Sequence, residues 1–89
     1  MNYFRVMGLD IVRKRLLIRS WRRGTKELDL ILGKFSNNNV SKFEMAELDL
    51  YEQLLSNDDY VIYNWLFGKE EIPKNFCNLI KKIQKSMYR

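Results

Sequence analysis

Hydrophobic side chains recur at intervals of three and four residues along most of the chain, which is the spacing of one face of an α-helix. These stripes, and the turn residues between them, predict five helices, over about residues 9–20, 25–36, 41–54, 60–67 and 74–87. No segment of the sequence alternates as a strand does. The pattern therefore predicts an all-α fold, a compact bundle of five short helices. We expect a single domain over residues 1–89 with its core between about residues 9 and 87.

Three signals set the predicted helix boundaries. The asparagines at residues 37–39 are expected to stop the second helix, because asparagine tolerates turn conformations. Ser41 and Glu44 match the S-x-x-E capping box, which places the start of the third helix at Ser41. Gly68 is expected to close the fourth helix, whose residues 60–67 are apolar nearly all round. Such a helix is either buried or shows part of its aromatic surface to a partner.

Charge is unevenly distributed, although the net charge is only +5. Residues 1–23 carry seven basic residues and one acidic residue, a net of +6, and residues 24–72 carry four and ten, a net of −6. Residues 73–89 carry five basic residues and no acidic one. An acidic middle repels phosphate unless it folds to the far side of the protein. The apolar stretches are far shorter than the roughly 20 residues that cross a bilayer, so we expect a soluble intracellular protein without membrane contact.

Most of the residue types used in small-enzyme chemistry are missing. The chain has no histidine, the commonest general base and metal ligand, and its one cysteine, Cys77, lies in an apolar helical pattern typical of a core residue. The acidic pairs 58–59 and 70–71 are sequence neighbours, which point to different sides of a helix rather than forming a dyad. We therefore predict that the chain is not an enzyme and has no catalytic residue, no metal site and no cofactor of its own.

One short segment carries more charge than a helix start requires. Residues 23–27, called the corner below, have the sequence Arg-Gly-Thr-Lys-Glu, which puts Gly24 or Thr25 near the N-cap of the second helix. Glu27, in the first turn, would oppose the positive end of the helix dipole. A helix start explains the glycine and the glutamate but not the arginines, because cations gain nothing beside a helix N-terminus. The corner is therefore either an ordinary helix start or a contact surface.

The cluster Trp21, Arg22 and Arg23 suggests an alternative function. An aromatic ring beside basic side chains can stack on bases and neutralise phosphates. The alternative is therefore a small basic module that binds nucleic acid or neutralises a toxin, and phosphate contacts would make its binding fall steeply with salt. One tryptophan beside a basic helix is weak support, since exposed arginines are usually solvated.

Three stretches together carry a resemblance to a known family. They are Arg22-Arg23-Gly24-Thr25-Lys26-Glu27-Leu28-Asp29, then Leu32-Gly33-Lys34-Phe35, then Trp65-Leu66-Phe67-Gly68 followed by Pro73. Over about residues 9–83 the chain resembles the succinate dehydrogenase assembly factor family, the small flavinylation factors of bacteria and mitochondria. The first stretch contains the family's RGxxE motif, which lies between the first two of the five predicted helices.

The resemblance implies a helical assembly factor that binds the flavoprotein subunit of succinate dehydrogenase, or of the related fumarate reductase. It implies that the factor promotes covalent attachment of FAD to a histidine of that client, which holds the FAD. We expect a monomer without nucleic acid, in the cytoplasm of a bacterium or the mitochondrial matrix of a eukaryote. The implied partner-binding residues are Arg23, Gly24 and Glu27, supplemented by Arg15, Arg19, Arg22 and Trp65.

The resemblance leads to a hypothesis for how the corner acts. The glycine corner would dock against the flavin domain of the client and keep flavin and histidine in near-attack geometry. Gly24 would allow close backbone approach, Arg23 would pair with a client carboxylate or carbonyl, and Glu27 with a client donor.

Overall fold

The computed structural model describes residues 3–87, with side chains from residue 8 onward, so residues 1, 2, 88 and 89 of the predicted domain lie outside the described residues. Within residues 3–87 the fold contains helices and no strand, which confirms the predicted all-α class. The α-helices are α1 (Tyr3–Trp21), α2 (Lys26–Asn39), α3 (Met45–Leu55), α4 (Asp59–Leu66) and α5 (Cys77–Met87). Two 3₁₀ turns, Val40–Lys42 and Lys74–Phe76, precede α3 and α5. The first helix begins earlier than the predicted residue 9.

Helix α2 lies at the centre of the fold and packs against both α1 and α5. It begins where predicted, with Thr25 as N-cap, because the Thr25 hydroxyl accepts a hydrogen bond from the Leu28 amide at 3.4 Å. The predicted inward stripe is confirmed. Leu28, Leu32 and Phe35 are buried, and Ile31 packs against them while half-buried. Burial of this stripe removes the apolar face of α2 from water and holds the corner at one end of the core.

Helix α2 ends within the asparagine run, as predicted, but at Asn39, the last of the three, and so three residues later than expected. The helix continues to Asn39, whose side-chain amide donates to the Phe35 carbonyl one turn back, at 2.8 Å. Asn37 accepts a hydrogen bond from the Trp21 indole on α1 at 3.1 Å. These side chains therefore bond to helices rather than to a turn, and the next residue, Val40, is fully buried. Tertiary packing outweighs the local preference of asparagine for turns.

The predicted capping box is also wrong by three residues. Ser41 lies inside the 3₁₀ turn, and α3 begins at Met45 with Glu44 as N-cap. The Glu44 amide donates to the Glu47 carboxylate at 3.2 Å, which is the reciprocal half of a capping box. The reason for the later start is Phe43, which is buried in an extended conformation with φ −73° and ψ 137°. An extended residue turns this ring into the core, and the helix can begin only after it.

The core is built around three aromatic rings. Phe35, Phe43 and Tyr51 contact one another with centroid separations of 6.0, 5.7 and 6.1 Å. The Tyr51 hydroxyl lies 2.6 Å from the Ser20 hydroxyl, which itself donates to the Leu16 carbonyl at 2.7 Å. Because the only hydroxyl proton of Ser20 is used there, Tyr51 must donate to Ser20. Burial raises the pKa of Tyr51 to about 12, although the Ser20 hydrogen bond and the nearby arginines oppose the rise.

Helix α1 comes very close to α2 at Gly33. Gly33 is buried, and a Cβ added there would overlap the Trp21 ring, with three ring atoms nearly equidistant. The face of the indole therefore covers the glycine, while its N–H reaches Asn37. Any larger residue at position 33 would force the ring or the helix to move.

Gly68 closes helix α4, as predicted, two residues after its last residue Leu66. Gly68 has φ 71°, and the Gly68 and Lys69 amides donate back to the Trp65 and Asn64 carbonyls at 3.5 and 2.8 Å. This is the Schellman arrangement, in which a positive φ favours glycine. It returns the chain toward Pro73 and the start of α5.

Candidate functional site

The corner joins α1 to α2 through one residue of unusual conformation. Gly24 has φ 99°, a region that residues with a Cβ rarely adopt. On its two sides the chain is held by α2 itself: the Arg23 amide donates to the Asp29 carboxylate at 2.6 Å, and Thr25 caps the helix. Gly24 and Glu27 are both exposed. The corner is therefore a fixed turn that presents its glycine and its glutamate to solvent.

The Arg23 side chain points inward, and only 10% of it is exposed. Its Nε donates to the Asp59 carboxylate at 2.8 Å, Nη1 to the Leu55 carbonyl at 2.6 Å and Nη2 to the Asn57 carbonyl at 2.8 Å. Leu55 is the last residue of α3, and Asp59 is the first residue of α4. Carbonyls at a helix C-terminus lack partners within the helix and carry the negative end of its dipole, so a cation is favourable there.

This guanidinium clamps the α3–α4 junction to the corner. The acceptors predicted to come from a client, a carboxylate and a carbonyl, are here supplied by the chain itself. Planar Arg can bond three acceptors at once, which a single ammonium group cannot do in the same geometry. Arg23 thus fixes the position of Gly24 relative to α4.

A groove of about 630 Å³ opens beside the corner, between the start of α2 and the start of α4. We call it the corner groove. Its lining residues are Thr25, Glu27, Leu28, Asp58, Asp59, Tyr60 and Tyr63. Glu27 and Asp58 are exposed, and 66% of Tyr60 is exposed, whereas Asp59 is engaged by Arg23. Exposed carboxylates beside aromatic rings form a surface suited to a cationic side chain.

The arginines of α1 lie on a neighbouring surface. Arg15 and Arg19 both point to Glu52 of α3, with nitrogen–oxygen distances of 3.2 and 3.7 Å. More than half of the Arg15 side chain and about a third of the Arg19 side chain remain exposed. Arg22 is exposed one residue before the clamp. Arg15 and Arg19 therefore lie around a carboxylate of α3 rather than around an open cavity.

Comparison with known proteins identifies a family that the chain matches. Residues 14–87 match the family described as flavinator of succinate dehydrogenase, and the match covers both the corner and α4. The chain belongs to this family. The assembly-factor resemblance predicted from the sequence is thereby confirmed.

Individual flavinator-family relatives differ in length. The FAD assembly factor SdhE of Legionella pneumophila (strain Lens) is 34% identical over 76 residues, which cover 85% of this chain and 96% of the relative. Succinate dehydrogenase assembly factor 2, mitochondrial, of Dictyostelium discoideum is 37% identical over 78 residues, which cover 88% of this chain and 55% of the relative. The same-named protein of Lodderomyces elongisporus is 34% identical over 82 residues, covering 86% and 50%. The chain spans about half the length of these mitochondrial relatives.

The family therefore includes bacterial and mitochondrial proteins. This agrees with the prediction of a cytoplasmic location in a bacterium or a mitochondrial one in a eukaryote. Between residues 3 and 87, no helix is long and apolar enough to cross a membrane. No group of three or more metal-ligating side chains is assembled in that same part of the chain.

Trp65 of this flavinator-family chain lies in the core rather than on the surface. Only 5% of it is exposed, and its ring packs on Phe76 with a centroid separation of 5.6 Å. It faces inward because α4 buries Ile62, Trp65 and Leu66 along one stripe. Partner binding by Trp65 stays a prediction, and the described geometry leaves its ring little surface for direct contact.

Sequence reasoning missed the side chains that α4 adds to the corner. Asp58, Tyr60 and Tyr63 lie 31 or more positions beyond Glu27, yet all line the corner groove. Two features of the sequence could have indicated that α4 contributes to a binding surface. They are the N-cap carboxylate before α4 and the excess of aromatic residues in that helix. Their proximity to the corner depends on the Arg23 clamp, which has no local sequence signature.

Proposed function

We propose that this protein is an assembly factor that binds the flavoprotein subunit of succinate dehydrogenase, or of fumarate reductase, and promotes covalent attachment of FAD to a histidine of that subunit. The family description and the name of the Legionella pneumophila relative support this proposal. The observation that carries it is the corner, which is rigidly held and exposes Gly24 and Glu27. A fixed, exposed turn beside a groove is a docking surface rather than a reaction centre.

In this proposal the chain supplies no reacting group and no cofactor, and FAD is bound by the client. The sequence has no histidine, so the acceptor of the flavin would belong to the client. The factor acts by holding the client so that flavin and histidine stay in near-attack geometry. The chemistry of bond formation then belongs to the client and its flavin.

Each corner residue has a separate proposed role. Gly24 lets the client backbone approach, because no Cβ intervenes and its φ of 99° suits glycine alone. Glu27 and Asp58 accept hydrogen bonds from a cationic or amide donor of the client, with Tyr60 covering the apolar part of that donor. Arg23 contributes by positioning Gly24 against α4 rather than by leaving its own partners. This division assigns direct contact to the exposed residues.

The test is covalent flavin on a client flavoprotein subunit that is co-expressed with the factor. Fluorescence of the denatured subunit on a gel measures covalently attached flavin. Gly24→Arg and Glu27→Ala should each lower it by about tenfold or more, the loss of roughly 1.4 kcal/mol of binding at one contact. Glu71→Ala is the matched control, since it makes the same charge change as Glu27→Ala at an exposed glutamate that does not line the corner groove.

Circular dichroism must show that each variant stays folded. Unchanged flavin attachment with both Gly24→Arg and Glu27→Ala would refute the proposal. An equal loss with Glu71→Ala would show that the assay reports a general change in surface charge rather than docking at the corner.

The alternative nucleic-acid module is less consistent with the geometry. One face of the Trp21 ring already covers Gly33, and the Arg23 guanidinium is bonded to the chain itself. Stacking and phosphate contact need an open ring face and free cations. Of the three residues in that cluster, the exposed Arg22 alone remains fully available.

A further inference from the structure

A second and larger groove, of about 860 Å³, runs between α2 and α5. We call it the basic groove. Its cationic lining residues are Lys34, Lys42, Lys82 and Lys85. Its apolar lining residues are Leu30, Ile31, Phe67 and Met87. The groove thus combines a set of ammonium groups with an open apolar surface.

The cations of the basic groove are only weakly neutralised by the chain. All four lysines are exposed. Lys82 lies 3.8 Å from the Glu47 carboxylate, an exposed ion pair that contributes little. Glu27 is the one carboxylate that lines the groove. Four positive charges against one negative charge in a concave surface attract anionic groups and concentrate them there.

The apolar residues of the groove are incompletely covered by the fold. Leu30 is 43% exposed and Phe67 is 36% exposed, whereas Ile31 and Met87 are half-buried at the edge of the core. Leu30 is on the outer side of α2, one residue before the half-buried Ile31. Aliphatic and aromatic surface inside a concave, charged rim is typical of a site that buries an apolar side chain of a partner.

We propose that the basic groove binds an acidic segment of a partner protein, in which carboxylates face the lysines and an apolar side chain packs between Leu30 and Phe67. A groove walled by two helices and floored by apolar side chains suits an amphipathic helix. The charge of the rim selects acidic residues by complementarity, and the apolar floor supplies area that simple counterions cannot use. The inference does not depend on the flavoprotein client, because any protein with such a segment meets these requirements.

An acidic polypeptide fits the basic groove better than nucleic acid does. Three of the four apolar lining residues, Leu30, Ile31 and Met87, have no aromatic ring and cannot stack on a base. The Glu27 carboxylate would also repel a continuous phosphate backbone, whereas a peptide can place an uncharged residue or a lysine there.

The experiment uses a labelled helical peptide with glutamates along one face and two leucines one turn apart. Its binding to the full chain is followed by fluorescence anisotropy. The double variant Lys34→Glu with Lys85→Glu should weaken binding by about tenfold or more, since each reversal replaces an attraction to a glutamate of the peptide by a repulsion. Leu30→Ser should weaken it by about threefold or more, through loss of buried apolar area.

The matched control is Lys74→Glu with Lys81→Glu, which makes the same charge change at exposed lysines that do not line the groove. It should change the affinity by less than about threefold. A second peptide with lysines in place of the glutamates should not bind, and one with serines in place of the leucines should bind more weakly.

Three outcomes would overturn the proposal. The first is no binding of the acidic peptide up to about 1 mM. The second is an equal loss of affinity in the Lys74/Lys81 control. The third is tighter binding of a single-stranded oligonucleotide of similar net charge, which would assign the groove to nucleic acid.

Discussion

The contact between Gly33 and Trp21 predicts that Gly33→Ala destabilises the protein when Trp21 is present and stabilises it when Trp21 is replaced by alanine. Gly33→Ala places a methyl group where the indole face lies, so the ring must leave or the helices must separate. Overpacking of this kind costs about 1 to 3 kcal/mol, and a displaced ring also loses its hydrogen bond to Asn37, worth about 1 kcal/mol. Alanine in a helix interior offsets about 1 kcal/mol of this loss relative to glycine. Gly33→Ala should therefore destabilise the protein by about 1 to 3 kcal/mol.

With Trp21 replaced by alanine, the same substitution at Gly33 should stabilise the protein. The added methyl group no longer meets a ring, and the gain in helix propensity of about 1 kcal/mol remains. The coupling between the two sites is then about 2 to 4 kcal/mol. Urea unfolding of the four proteins, followed by circular dichroism at 25 °C, measures this coupling directly.

Gly8→Ala is the control for helix propensity. Gly8 lies in α1 with nothing within 4 Å of an added Cβ. It should stabilise the protein by less than about 1 kcal/mol in both backgrounds. If Gly33→Ala changed the free energy of unfolding by the same amount with and without Trp21, the reasoning from the close approach of α1 and α2 would be refuted.

Three further predictions concern the corner and the core. Arg23→Lys should cost about 2 to 3 kcal/mol, because one ammonium cannot serve Asp59 and two carbonyls; a change in urea midpoint equivalent to less than about 0.5 kcal/mol would contradict the clamp. Gly24→Ala should cost about 1 to 2 kcal/mol through its φ of 99° alone, since the nearest atom to an added Cβ, at 3.7 Å, leaves room; thermal unfolding unchanged from wild type would argue against strain there. The pKa of Tyr51, raised from 10.0 to about 12, gives a stability contribution that is complete below pH 10 and is lost as the pH rises through 12. The stability advantage of wild type over Tyr51→Phe should therefore shrink by about 2 kcal/mol between pH 9 and pH 12; a difference independent of pH would contradict the buried, protonated phenol.

The helices could be predicted from the sequence where a stripe of apolar side chains faces the core, or where a local cap marks a helix end. The stripe of α2, the cap at Thr25 and the glycine stop at Gly68 follow from spacing and from local backbone preference. These features involve residues no more than one or two turns apart. Local patterns are sufficient to predict them.

The sequence failed where a distant residue decides the local conformation. Ser41 and Glu44 form a good capping motif, but burial of Phe43 against rings from α2 and α3 delays the helix. Helix α2 continues through the asparagines to Asn39, because Asn37 accepts a hydrogen bond from Trp21 of α1 and Val40 is buried in the core. Tertiary contacts of this kind override propensities of a few tenths of a kcal/mol.

The site was predictable only in part for the same reason. The resemblance located the corner, and composition suggested that α4 shows aromatic surface. Neither could reveal that Arg23 points inward or that Tyr60 stands beside Glu27. Gly33, one of the residues that carry the resemblance, proves to lie under Trp21, which accounts for it through packing alone.

The Arg23 clamp joins residues that are 32 to 36 positions apart along the chain. We expect such a link to form late in folding, because the entropy of closing the loop must be overcome before these groups can meet. Until then the turn at Gly24 lacks its fixed relation to α4, and the corner groove has only one wall. A newly made or partly unfolded copy would therefore present no docking surface to a client. In the proposed function, the clamp makes completion of the chain's own folding a condition for docking at the corner.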